Sequence, residues 1–131
     1  TTRYEQWVRD NLSFLDYAPI VFISALTGKR ITRLFTLATE VDKNNRLEIP
    51  TGSLNRVIRD AVLFRPPPSK KGQQAKIYYA SQIGTQPPTF LIFVNNPKLF
   101  HFSYVRYLEN TLRSTYDLVG TPLRILYRER K

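Results

Sequence analysis

The chain has 131 residues, of which 42% are hydrophobic, enough to bury one core. It contains no cysteine, which excludes a disulfide framework and thiolate metal sites and agrees with a reducing cytoplasm. Its formal charge is +10, so electrostatics favours a polyanion as partner.

The charge is uneven. Residues 1–43 hold six basic side chains against five acidic ones, residues 44–131 fourteen against five. The break falls in Asp42-Lys43-Asn44-Asn45-Arg46, a polar stretch that suits a linker between two parts. No apolar run approaches the roughly 20 residues that span a bilayer, and no N-terminal stretch has the layout of a signal peptide. A cytoplasmic protein without a membrane partner is expected.

In chain order, Thr2 can cap a helix reaching about Asn11, with Tyr4, Trp7 and Val8 on one face. Ser13–Tyr17 reads as loop, and Ile20–Ser24 as a strand apolar on both faces, the kind buried in a parallel sheet. A helix from about Lys29 to Val41 follows, with Ile31, Leu34, Phe35 and Ala38 on one stripe. A lone strand of this type has no partner within residues 1–43. The segment is therefore expected to be a piece of a larger α/β domain, and its unpaired strand could support a dimer.

After the linker, Gly52 to about Val62 predicts a helix that buries Leu54, Val57, Ile58, Ala61 and Val62 and leaves Asn55, Arg56, Arg59 and Asp60 in water. Pro66-Pro67-Pro68 stiffens the next loop, and Ser69-Lys70-Lys71-Gly72 reads as a flexible basic tip. Lys76–Ile83 and Thr89–Asn95 read as two antiparallel strands around the turn Gly84-Thr85-Gln86-Pro87-Pro88. Alternation places Ile77, Tyr79, Ser81 and Ile83 on one face, with Tyr78, Ala80 and Gln82 on the other. Phe90-Leu91-Ile92-Phe93-Val94, apolar on both faces, should be the central strand. A helix capped by Ser103 should run to about Tyr116 and carry Val105, Leu108 and Leu112, with Asp117 and Gly120 as its stop. Leu123–Tyr127 is the last strand. Residues 50–131 thus read α-β-β-α-β, an α+β class with helices on a three-stranded sheet.

Candidate chemistry is sparse. His101 is the single histidine, and the acids show no metal-ligand or acid/base spacing, so no catalytic residue and no metal site is assigned. Gly28-Lys29 lacks the earlier glycine and the following Ser or Thr of a phosphate loop. Asp117-Leu118-Val119-Gly120 follows an amphipathic helix and is better read as a helix stop.

Phe14-Leu15-Asp16-Tyr17-Ala18-Pro19 followed by Pro19-Ile20-Val21-Phe22-Ile23-Ser24-Ala25-Leu26-Thr27-Gly28 resembles the end of the second GTPase domain of the EngA/Der family, tandem GTPases linked to ribosome assembly. There the strand end corresponding to Ser24, Ala25 and Leu26 meets the guanine base. Ile49-Pro50-Thr51, Leu54-Asn55-Arg56, Lys76-Ile77-Tyr78-Tyr79-Ala80-Ser81-Gln82, Phe93-Val94-Asn95, Tyr107-Leu108-Glu109-Asn110 and Gly120-Thr121-Pro122 are similar to that family's C-terminal KH-like domain. The resemblance implies a GTPase remnant over 1–43 and a KH-like domain over 44–131. It implies that GTP and Mg belong to missing upstream domains, because both phosphate loops and the N-K-x-D motif are absent here. It also implies the large ribosomal subunit, or ribosomal RNA, as partner.

The usual KH clamp is a G-x-x-G loop, yet the glycines at 28, 52, 72, 84 and 120 include no two that are three apart. Any RNA contact must therefore come from charge: Arg56, Arg59, Arg65, Lys70, Lys71, Lys76, Arg128, Arg130 and Lys131. Tyr78 and Tyr79 alternate across the sheet, so only one can face the core unless both faces are covered; a core or helix-covered place is expected, with base stacking by an exposed one as the alternative. The competing expectation is a protein-interaction module that docks on the chain's own upstream GTPase domains and senses their nucleotide state.

Overall fold

A computed structural model describes residues 2–22, 28 and 30–130. The expected strand Ile20–Ser24 falls partly outside them, and so do Ser24, Ala25, Leu26 and Lys131. Where it is described, Ile20–Phe22 joins no ladder. A parallel-type strand needs neighbours, and the described residues offer none.

The elements are α1 (Thr2–Asn11), α2 (Ile31–Asn45), α3 (Thr51–Phe64), β1 (Ser69–Lys70), β2 (Gln73–Gln74), β3 (Ile77–Gly84), β4 (Thr89–Val94), α4 (Phe102–Thr115) and β5 (Arg124–Glu129). β3, β4 and β5 form one sheet in that order, β3 antiparallel and β5 parallel to β4. The parallel pairing follows from the crossover through α4, which returns the chain to its starting end of the sheet. The expected α-β-β-α-β order and the central place of β4 are both present.

The helices α3 and α4 cover one face of this sheet. Leu54, Ile58 and Ala61 of α3 meet Tyr104, Leu108 and Leu112 of α4 over Ala80, Phe90, Ile92 and Val94. Phe90 and Leu108 are fully buried, each worth roughly 2 kcal/mol of burial. Two tyrosines of α4 also close the end of α3: Tyr104 Oη donates to Arg65 O and Tyr107 Oη to Ala61 O, both at 2.7 Å. Arg65 O, past the end of the helix, has no helical donor and gets one from Tyr104, while Ala61 O, which already accepts from Arg65 N at 3.0 Å, gains a second donor in Tyr107. Burial pushes the Tyr104 phenol up to about 12, with Tyr107 adding to the shift and Arg65 opposing it.

Several local expectations are corrected. Asp42–Asn45 form the last turn of α2, so the polar stretch is helix and not linker. Asn44 Nδ2 donates to Val119 O at 2.9 Å, and Thr121 Oγ1 donates to Asn45 Oδ1 at 2.8 Å, docking that end of α2 on the loop after α4. The stripe expected to be buried on α2 instead exposes Leu34 and Phe35, and α1 exposes Tyr4 and Trp7. The N-cap of α4 is His101, whose Nδ1 accepts from Ser103 N, so Ser103 lies inside the helix and the histidine has a structural task.

The basic tip is a tight hairpin. Ser69 pairs with Gln74 and Lys70 with Gln73. Lys71 (φ +53°) and Gly72 (φ +77°) are both left-handed, the combination that matches strand twist in a two-residue turn. In β3 a register shift between Ile77 and Tyr79 turns Ile77 to the helix side with Ala80 and Gln82, against simple alternation.

Gly120 joins the two parts of the chain. Its φ is +81°, and a Cβ there would run into the side chain of Val41 on α2. Gly120→Ala should therefore destabilise the chain by about 2 kcal/mol, combining left-handed strain with overlap against a movable side chain. Urea denaturation is the check, and proteolysis should show cleavage appearing first in residues 2–45.

Candidate nucleic-acid interface

The sheet register sorts the cations by end. Lys76 O accepts from Asn95 N at 3.1 Å and Val94 O from Arg130 N at 3.0 Å, so residues 76, 95 and 130 share one end of the sheet. The Tyr104–Arg65 bond brings the end of α3 and the start of α4 to that same end. Segments 65–76, 95–106 and 127–130 meet there. They carry Arg65, Lys70, Lys71, Lys76, Lys98, Arg106, Arg128 and Arg130, with Glu129 as their single carboxylate.

Among the described residues, the ion pairs are Arg46–Asp42 and Arg113–Glu109, neither of them at this end. The cations here thus have no internal carboxylate within 4 Å to neutralise them. The opposite end mixes signs: Asp42, Glu48 and Asp117 stand among Arg46, Arg113 and Arg124. Arg113 is structural, donating to Leu118 O (2.9 Å) and Thr121 O (2.7 Å) and resting on the Tyr17 ring.

Of the residues named from sequence, Arg65 and Lys70 line one groove of about 420 Å³ between the proline loop and the start of α4. Lys71 and Lys76 flank it along the chain. Arg128 lies on the sheet face away from the helices, paired in register with Phe93. Arg130 places its guanidinium 3.6 Å from the Tyr78 ring centroid. Arg59 stands apart in a cleft between α3 and β3 with Tyr78 and Tyr79, and Arg56 lies a turn earlier on α3. Sequence reasoning passed over Lys98 and His101, which line the same groove as Arg65, and Arg106, which lines the next. The helical period would have found Arg106, since it falls on the side of α4 away from Leu108 and Leu112. Lys98 had no such signal, because its position depends on the fold of the loop after Pro97.

Neither tyrosine is in the core. Tyr78 is 40% exposed beneath Arg130, and Tyr79, 45% exposed, stacks on Phe93 with ring centroids 4.6 Å apart. The bulge in β3 takes Tyr78 out of the helix-side row of Ala80 and Gln82, whereas Tyr79 faces away from the helices by ordinary alternation with Ala80. Tyr79, Phe93, Leu91 and Leu126 make the uncovered sheet face partly apolar, between Arg124 and Arg128.

No group of three His, Asp or Glu side chains suited to a metal occurs among the described residues. The residues present do not fit a Mg–nucleotide site, because the acids are scattered and the sequence holds no phosphate loop. Among the described residues no helix is long and apolar enough to cross a membrane.

A three-stranded mixed sheet backed by two helices, basic at one end and without a glycine clamp, defines a KH-like domain of unusual surface. Residues 48–128 match the family described as KH-domain-like of EngA bacterial GTPase enzymes, C-terminal. The chain is 50% identical over 128 residues to GTPase Der of Leuconostoc mesenteroides subsp. mesenteroides, covering 98% of this chain and 29% of that protein. It is 52% identical over 126 residues to GTPase Der of Natranaerobius thermophilus, covering 96% and 29%. With GTPase Der of Moorella thermoacetica the identity is 50% over 125 residues, covering 95% and 28%. The chain belongs to the EngA/Der GTPase family, of which it holds the C-terminal KH-like region. It spans less than a third of the length of these relatives.

Proposed function

We propose that the KH-like domain is a non-catalytic RNA-binding appendage that holds a GTP-dependent ribosome-assembly protein on ribosomal RNA of the large subunit. In this reading residues 1–43 close a GTPase domain and residues 44–131 are the appended domain. GTP and Mg are handled by the upstream domains of the intact protein. The observation that carries the reading is the polarised charge: eight cations and one carboxylate at one end, without internal ion pairs among the described residues. Such a surface neutralises phosphates and displaces their counterions, with little dependence on base sequence. Without a glycine clamp, charge is the main source of affinity.

The test is a salt titration of binding between the whole chain and ribosomal RNA. Affinity should fall by at least about 100-fold between roughly 50 and 200 mM salt if several phosphates are engaged. Binding that is flat across this range would remove the reading.

A second reading is favoured by one observation, the partly apolar sheet face of Tyr79, Phe93 and Leu126 over the buried Leu91. A face of that kind suits docking against the protein's own upstream GTPase domains. Its association would persist at moderate salt and fail on Leu126→Asp.

A further inference from the structure

We infer that the cationic end takes single-stranded RNA along a track across the junction of α3 and α4, with Phe64 and Phe102 as its base-stacking surfaces; this rests on the RNA reading above. Phe64 is 88% exposed and Phe102 70%, so the core gains little from either ring. Both sit beside the charge. Phe64 precedes Arg65 at the end of α3, and Phe102 opens α4 immediately before Ser103.

Two grooves meet at Arg65 and Ser103, which line both. The first, of about 420 Å³, adds Lys70 and Lys98. The second, of about 490 Å³, adds Arg106 and runs along the outer side of α4 past Asn110 to Ser114. Arg65 rests over the Tyr107 ring, 5.2 Å from its centroid, which holds the guanidinium between the two grooves. Phe64 borders a further recess of about 440 Å³ that shares Tyr107 and Thr111 with the second groove. Asp60 lines that recess and repels phosphate, so the phosphate path ends before it.

A chain that places its phosphates on Lys70, Lys98, Arg65 and Arg106 brings its bases within reach of the two exposed rings. Only unpaired bases have faces free to stack; a duplex hides them. The tyrosines of the sheet are already engaged, Tyr78 under Arg130 and Tyr79 on Phe93, whereas Phe64 is open and Phe102, which leans on the His101 ring at 4.5 Å between centroids, still exposes most of its surface. Charge complementarity with Arg65, Lys70, Lys98 and Arg106, the cations of the two grooves, selects a polyanion over a protein partner for these rings.

The experiment measures fluorescence anisotropy of the whole chain with a labelled oligouridylate of about 12 nucleotides and with an RNA hairpin duplex, at roughly 150 mM salt. Wild type should prefer the single strand. Phe64→Ala and Phe102→Ala should each weaken single-strand binding by about 5- to 10-fold, leave duplex binding and the salt slope unchanged, and be rescued by Trp at the same position. Both side chains are exposed, and circular dichroism should report an unchanged fold. Alanine variants that bind the single strand like wild type, while Lys70→Glu weakens it, would overturn the track and leave the charge reading standing. Equal losses on single strand and duplex would also overturn it. No binding of either RNA by wild type would sink the RNA reading itself.

Discussion

Asn55→Ala should destabilise the chain by about 3 kcal/mol, lowering its melting temperature by roughly 10 °C. The sequence places Asn55 on the watery side of α3. In the structure its amide grips the backbone of β3: Nδ2 donates to Ala80 O and Oδ1 accepts from Ala80 N, both at 2.8 Å. β3 is an edge strand, and these two peptide groups are taken by a side chain where another strand could otherwise pair. Alanine would leave both without a protein partner at a half-buried position, at about 1–3 kcal/mol each, less what water recovers. It would also free the edge for pairing with a second chain. Urea denaturation with light scattering is the measurement. A cost under about 0.5 kcal/mol would mean that water replaces the amide fully.

Reversing Lys70, Lys71 and Lys76 to glutamate together should weaken RNA binding by on the order of 100- to 1,000-fold and flatten its salt dependence. All three are exposed and none has a carboxylate partner among the described residues, so the fold loses little. The hairpin places Lys70 on the groove and Lys71 in the turn beside it, and a paired backbone loses less entropy on binding than an open loop. Arg124→Glu, at the far end of β5, is the control and should change affinity less than about 3-fold at physiological salt. Equal losses from the two variants would mean that net charge matters and its placement does not. A binding partner that ignores the triple reversal but is lost on Leu126→Asp would favour the docking reading instead.

The two departures at the sheet show what pattern alone misses. Alternation with Ala80 and Gln82 puts Tyr78 on the helix side, where an aromatic side chain would be expected in the core. The bulge beside it is a matter of register against β4, which no local signal encodes. The same shift moved Ile77 to the helix side. His101 illustrates the converse: it carries no catalytic pattern, yet capping needs only an acceptor at the start of α4, and its Nδ1 provides one. Asp42–Asn45 read as linker by composition because their anchors, Val119 and Thr121, lie some 75 residues away.

By itself, the sequence determined the α-β-β-α-β order of the main elements in residues 50–131, the central place of β4, the lack of a glycine clamp or reactive cluster, and the surplus of positive charge. These are set by short-range preferences, spacing and counts, which need no partner to be legible. The tertiary structure alone decided that the charge gathers at one end, that Lys98 and Arg106 join it, and that Asn55 serves the edge of the sheet. Those outcomes depend on which distant segments meet when two helices close over three strands. Packing makes that choice, and charge has little part in it.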